Sequence, residues 1–294
     1  MKKLWAFVSV LLILNAPLWG QTPSAPSASP SNQKNEDSDE KPFKPHWENE
    51  FGLSASNQQA GQSTSSLSYT GSYHFNESGS FLSGELALSQ QKVEGVVSKT
   101  GNLTVTGGLG LGSFSPSLAV GFQGGESALK VFSGDLSLGI QLWDPFAISL
   151  SIGGNTGSHE GDISAFYPAL TGQVQIDTSS WNSSLGANFT PWDWWTLSLT
   201  VQNEYDLTYQ LQATIRKVTF KIPVNQTDHI TSLTLGLDFT LFKGFVLGFA
   251  PQVGQEYFPA GLVYSPNAGG LVNSATASTQ NFGAGTLSIT YTFE

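Results

Sequence analysis

Apolar and polar residues alternate one by one along most of the chain after Trp47. The pattern is clearest from Leu67 to Phe75, where every second residue is apolar or glycine and the residues between are Ser, Thr or His. A period of two is typical of β-strands with one apolar and one polar face. Such strands, about twelve in all, are predicted at 47–56, 66–75, 82–89, 102–112, 117–123, 134–142, 146–153, 181–189, 195–215, 230–241, 245–253 and 281–293.

The connections between these strands fall into two groups. Tight turns with Pro, Gly or Asp and bunched aromatics recur within 108–121, 139–149, 186–198 and 236–248, whereas 90–101, 155–180 and 255–280 read as long polar loops. The alternation in 195–215 continues past Arg216 and Lys217. We prefer a tall hairpin with this basic pair at its tip, although counting two further spanning strands there would give about fourteen.

The two faces of the predicted strands differ in chemistry. Charges within the strand cores share the positions of Ser, Thr and Gly, and no basic residue is expected in a strand core between Trp47 and Val201. A water-facing outer surface normally carries many Lys and Glu, so this face suits a confined lumen better. The expected lumen-lining acidic residues are Glu48, Glu50, Glu85, Asp135, Glu204 and Asp238.

Aromatic residues mark where strands meet short turns, as in the interfacial girdle of a membrane barrel. They are Phe75, Phe146, Phe189, Trp195, Phe245 and Phe293. The fold class predicted from these patterns is therefore all-β, a closed antiparallel transmembrane β-barrel over residues 46–294.

Composition narrows the class of protein further. Only 12% of the 294 residues are charged, Cys is absent and the net charge is −10. The absent Cys excludes disulfide scaffolds, and the acidity argues against nucleic acid as a partner.

The amino terminus has the layout of a secretory signal peptide. Lys2 and Lys3 precede an apolar run from Leu4 to Leu14, and Gly20 marks the expected cleavage point of a 1–20 signal peptide. Residues 21–45, rich in Pro and Ser, are predicted to be a disordered periplasmic tail.

The carboxyl terminus alternates from Leu287 to Phe293 and carries the pair Tyr291 and Phe293. This ending resembles the terminal assembly signal of bacterial outer-membrane β-barrel proteins, porin-like in architecture. Glu294 departs from the pattern, which usually ends on the aromatic residue. The resemblance implies outer-membrane lipid, lipopolysaccharide and the barrel-assembly machinery as partners, and both termini in the periplasm.

The positions of the histidines limit where a catalytic site could lie, because a nucleophile needs a base within hydrogen-bond reach. His74 is expected to point inward near a turn, opposite Phe81, with Thr70 opposite Glu85. Some barrels of the resembled family are hydrolases, so a rim site in loops is one hypothesis. Its candidate residues are His159, Glu160, Asp162, Asp228 and His229.

The favoured function is a passive, cation-preferring channel for a small-molecule solute, because the expected lining charges are all acidic. No enzyme activity, cofactor or metal site is expected. An outer-membrane hydrolase with a rim site, and a structural or adhesive barrel that binds through its loops, are the alternatives.

Overall fold

The computed structural model describes residues 43–58, 62–93, 96–126, 128–165, 169, 171–215, 217–265 and 270–293. The predicted signal peptide, the predicted tail up to residue 42, Arg216 and Glu294 lie outside the described residues.

The described residues form fourteen strands, and twelve of them close into one antiparallel barrel. The barrel strands are β1 (His46–Gln58), β2 (Gln62–His74), β3 (Phe81–Val93), β4 (Val96–Gly108), β5 (Phe114–Gly125), β6 (Ala128–Trp143), β7 (Phe146–Asp162), β8 (Gly172–Trp192), β9 (Trp195–Ile215), β10 (Val218–Phe242), β11 (Phe245–Phe258) and β14 (Ser278–Phe293). Neighbours in sequence pair around the ring, and β1 pairs with β14 to close it. Closure leaves no sheet edge, so every strand finds backbone partners on both sides.

The outward face of the barrel is apolar. Leu53, Leu88 and Leu136 are 56%, 55% and 55% exposed, and comparable side chains recur on all twelve barrel strands. An exposed apolar surface of this extent is not tolerated in water and indicates a lipid-facing belt. The pattern of one-sided alternation therefore marks the face that meets the membrane.

Stacked aromatics border this belt at one end of the barrel, here called the turn end. The first residue of β1, the last residue of β14 and the connections 75–80, 109–113, 144–145, 193–194 and 243–244 lie at this end. Trp143 stacks on Phe146 at 5.1 Å, and Phe242 on Phe245 at 4.8 Å. A second aromatic row, Trp181, Tyr205 and His229, stacks across β8, β9 and β10 towards the opposite, loop end. The two rows fit interfacial girdles.

The predicted long loops at 90–101 and 155–180 are wrong. β3 and β4 are separated only by 94–95, β7 continues to Asp162, and β8 begins at Gly172 after a short 3-10 turn at Ile163–Ala165. Beyond the lipid belt the outer face also becomes polar, so hydrophobic alternation no longer marks the strands there. Basic residues do occur in these extensions: Lys92, Lys99 and Lys130 lie on strands, exposed and beyond the predicted strand cores.

β9 and β10 form the tall hairpin that the sequence predicts, each as one unbroken element, and the fourteen-strand barrel is excluded. They contain 21 and 25 residues, against 13 in each of β1 to β4. At about 3.3 Å per residue and a tilt near 40°, eight extra residues raise the wall by roughly 20 Å. We call these extensions, residues 154–162, 172–180, 206–215 and 218–228, the tall wall.

Within the predicted 255–280 loop the chain forms a small hairpin of β12 (Gly261–Ser265) and β13 (Gly270–Ser274). This mouth hairpin contacts the tall wall. Its Leu262 packs against Val174 and Ala213, two buried residues on the inward positions of β8 and β9. The hairpin therefore covers the inner side of the wall at the loop end.

Candidate functional site

The inner surface of the barrel is lined by small polar side chains. Ser54 and Ser66 pair by a 2.6 Å hydrogen bond across β1 and β2, and Ser151 and Ser184 pair at 2.7 Å across β7 and β8. A Cβ atom at Gly153 would collide with the Asp135 carboxylate, so glycine there leaves room for the acid. Small residues thus make space for polar groups in a narrow interior.

All six acidic residues expected in the lumen occupy inward positions, opposite to the exposed apolar side chains of their strands. Glu50 and Glu85 both flank Thr70 in the β1–β2–β3 register. That register also places His74 opposite Phe81, as predicted. Asp238 lies near the turn end, where its carboxylate approaches the position a Gly248 side chain would fill.

Three further carboxylates join Glu204 higher on the inner wall. Asp206 pairs directly with Asp228, and Ile230 lies between Glu204 and Glu256 in the register of β9, β10 and β11. We call Glu204, Asp206, Asp228 and Glu256 the upper acidic cluster. Their exposed fractions are only 6%, 5%, 1% and 3%.

The upper acidic cluster is electrostatically unusual. Among the described residues, both oxygens of Asp228 and one of Asp206 are buried without a geometrically defined hydrogen-bond partner, and burial together with the neighbouring Glu256 raises the pKa of Asp228. Like charges this close repel one another and attract cations or protons. The sequence analysis did not select Asp206 and Glu256, which lie beyond the apolar belt, and it assigned Asp228 to a loop. Continuing the alternation of inward and outward residues past Glu204 would have placed these side chains on the inner wall.

No lysine or arginine of the described barrel strands lies on an inward position. Lys92, Lys99 and Lys130 alternate with inward neighbours and are exposed on the outside. Among the strand residues that the structure describes, every formal charge on the inner wall is therefore acidic. Where these carboxyl groups are ionised, they make the electrostatic potential of the lumen negative.

The rim residues proposed from sequence lie in strands, and the expected loop site is not formed. His159 is 2% exposed on the inward side of β7, whereas Glu160 faces outward. Asp228 faces inward on β10, and His229 next to it faces outward, where its ring stacks on Tyr205 at 4.1 Å. Because β8 and β9 separate β7 from β10, the set does not converge.

His159 lies in the tall wall, above the lipid belt. Burial lowers its pKa from 6.5 to about 4, and the nearby Asp177 carboxylate opposes that shift. The neutral imidazole is therefore the form present in the folded barrel at neutral pH. Asp162 at the end of β7 accepts a 2.8 Å hydrogen bond from the backbone N–H of Ser164, which lowers the pKa of its carboxyl.

One set of His and carboxylate side chains within the described residues is gathered closely enough to hold a metal ion. It consists of His46, Glu48 and His74, near the turn end. These residues lie apart from the upper acidic cluster, on β1 and β2.

The fold is shared with solved outer-membrane channels. An outer membrane channel from Pseudomonas putida F1 aligns with a TM-score of 0.51 at 10% identity, over 88% of this chain and 100% of that one. KdgM porin gives 0.47 at 11% identity over 83% and 99%, and a mutant of the monoaromatic hydrocarbon channel TodX gives 0.47 at 9% over 84% and 90%. At these identities the likeness shows the fold alone, a closed barrel of the outer-membrane, porin-like type.

No protein-family model matches the sequence, and no curated protein is similar to it. None of the helices in the described part of the chain has the length and hydropathy needed to cross a membrane.

Proposed function

We propose that this barrel is a passive channel for small solutes in the bacterial outer membrane, and that it prefers cations. The observation that supports the preference is the inner wall, whose formal charges on the described strands are all acidic. Rings of Asp and Glu favour cations by attraction and disfavour anions by repulsion.

The size of the ring supports small solutes as cargo. Side chains fill an eight-stranded barrel, whereas sixteen strands leave a wide aqueous channel. Twelve strands lined by Ser, Gly and Thr lie between these cases, and the mouth hairpin further narrows the loop end.

Both termini of the barrel lie at the turn end, which we propose faces the periplasm. The tall wall and the mouth hairpin would then face the outside of the cell. In this orientation the predicted tail would lie in the periplasm.

We propose a channel rather than an enzyme because the histidines and carboxylates of the rim set are divided between two faces of the wall. A general base has to lie within hydrogen-bond reach of its partner. The described geometry gives His229 only a weak polar neighbour, Thr231 Oγ1 at 3.3 Å from Nε2.

Swelling of proteoliposomes tests the channel activity. Vesicles that contain the folded barrel should swell in isotonic small sugars and amino acids, with rates that fall as the solute grows, and should not swell in a large polysaccharide. Vesicles with heat-denatured protein are the control. Equal rates for folded and denatured protein with every solute would contradict the proposal.

A further inference from the structure

A second site lies at the turn end of the lumen, formed by His46, Glu48 and His74. One ligand atom from each residue lies within 4.8 Å of those of the other two. His74 Nε2 is 3.5 Å from Glu48 Oε2, and the two imidazole rings stack with centroids 5.1 Å apart. Two imidazoles and one carboxylate are thus gathered on one patch of wall.

Strand pairing builds this patch. His46 and Glu48 are two residues apart on β1, so they share its inward face. His74 is the direct cross-strand partner of His46 on β2, and Ser72 is the partner of Glu48. The three side chains therefore start from rigid barrel strands rather than from a loop, which favours a preorganised site.

The hydrogen bonding leaves ligand atoms available. His46 Nδ1 lies 3.2 Å from the carbonyl oxygen of Lys44, a contact in which Nδ1–H donates and Nε2 keeps its lone pair. The side chains of His74 and Glu48 are 25% and 43% exposed, so an ion can reach them from the lumen. The rings of Phe43 and Phe81 lie beside the two histidines at 5.7 Å and 6.2 Å.

We propose that His46, Glu48 and His74 form a binding site for a divalent first-row transition metal of the Zn²⁺ or Cu²⁺ type. Imidazole nitrogen suits these metals, whereas Ca²⁺ and Mg²⁺ prefer all-oxygen sites. Metal–ligand bonds of about 2.1 Å bring ligand atoms to roughly 3 to 4 Å of one another, which small rotations of these side chains achieve. Three protein ligands leave a further position for water or for a passing solute.

The proposal departs from the expectation of no metal site, and it does not depend on the proposed channel function. The sequence separates His46 and His74 by 28 positions, and only the β1–β2 register brings them together. Neighbouring Glu50 and Glu85 add negative charge on the same wall, which raises the local cation concentration without making them ligands.

Metal titration of the purified, folded and untagged full-length barrel in detergent tests the proposal. Zn²⁺ is titrated calorimetrically into the wild type, H46Q, H74Q, E48Q and the double variant H46Q/H74Q. His229→Gln is the matched control, because His229 faces outward on β10. Strand content and heat-modifiable gel mobility show that each variant is folded.

The expected result is about one Zn²⁺ per chain in the wild type and in H229Q, and an affinity at least about tenfold lower in each ligand variant. The electron paramagnetic resonance spectrum of bound Cu²⁺ should show coupling to two imidazole nitrogens in the wild type and to one in H46Q. Equal Zn²⁺ affinity in the wild type and the double variant, or a Cu²⁺ spectrum without imidazole coupling, would overturn the assignment.

Discussion

Asp206 and Asp228 lie side by side on the inner wall, and Glu204 and Glu256 flank Ile230 in the adjoining row. Pairs of like charges at such spacing are costly unless an ion, a proton or water compensates them. Barrel closure enforces the arrangement, since a strand that turns its apolar residues to lipid must turn the alternate residues inward. Burial and the neighbouring carboxylates raise the pKa of Asp206 and Asp228, so the cluster binds protons or cations rather than standing fully ionised.

Neutralising the upper acidic cluster should weaken cation preference. In the variant D206N/D228N, measured at mildly alkaline pH above the raised pKa of Asp206, we expect the cation-to-anion permeability ratio to fall about three- to tenfold, because one charge at roughly 8 Å is worth about 1 to 2 kcal/mol before screening. Planar-bilayer reversal potentials measure the ratio. Glu160→Gln, outward on the same wall, is the control and should leave the ratio unchanged. Identical ratios in the wild type and D206N/D228N would contradict this role.

His159 should make stability fall in mild acid. Its pKa is about 4 in the folded barrel and 6.5 in the unfolded chain, so the unfolded chain binds more protons between these values. The contribution of His159 to the free energy of unfolding is fully present above pH 6.5 and is lost as pH falls towards 4. Its size is of order 2 to 3 kcal/mol.

Urea unfolding in lipid vesicles at a series of pH values measures this effect. Relative to His159→Asn, the wild type should lose stability between pH 6.5 and 4, because the buried carboxyls with raised pKa act in the opposite direction but equally in both proteins. Parallel profiles for the two proteins would show that His159 is not the titrating group.

At the scale of elements, the mouth hairpin is the feature that most affects access to the lumen. It covers the inner side of the tall wall through Leu262 and the almost fully buried Val263. Because Leu262 packs on the buried apolar cluster of Ile163, Val174 and Ala213, the contact is a small hydrophobic core rather than a loose one.

Replacing residues 261–274 by a short Gly-Ser linker should raise single-channel conductance, because it removes a covering element from the loop end. The variant L262S/V263S should raise the conductance less, because it only loosens the packing of the mouth hairpin on the tall wall. Lys221→Ser is the matched control, since Lys221 is exposed on the outward side of the same wall, between the inward Phe220 and Ile222, and its change should leave conductance unaltered. Equal conductance for the linker variant and the wild type would mean that the hairpin does not narrow the lumen.

The sequence predicted the twelve barrel strands because, within the lipid belt, the strands alternate large apolar and small polar residues. It failed beyond the belt, as at 172–180, where the apolar Val174 and Ile176 lie on the inward face and the outward residues are polar, the reverse of the pattern in the belt. The alternation of side chains along each strand correctly predicted that Glu85 and His74 point inward. The approach of His46 to His74, and the fold of the mouth hairpin, depend on pairing and long-range packing that no local pattern contains.

For the whole molecule, low charge and high glycine content follow from a barrel that meets lipid outside and a narrow lumen inside. Only 12% of residues are charged, because a charged side chain placed on the lipid belt would destabilise the barrel in the membrane. Among the described strand residues the basic side chains lie outside and the acidic ones dominate the inner wall. In the proposed channel, part of the net charge of −10 would act as an electrostatic filter.

A planar-bilayer reversal potential under a KCl gradient, with the folded wild-type barrel, tests the central claim most directly. The inner wall predicts a stable conductance and a reversal potential of the sign set by K⁺, with a magnitude that shrinks as total salt rises and screens the wall. A reversal potential of the sign set by Cl⁻, or no conductance from folded protein, would contradict a cation-preferring channel.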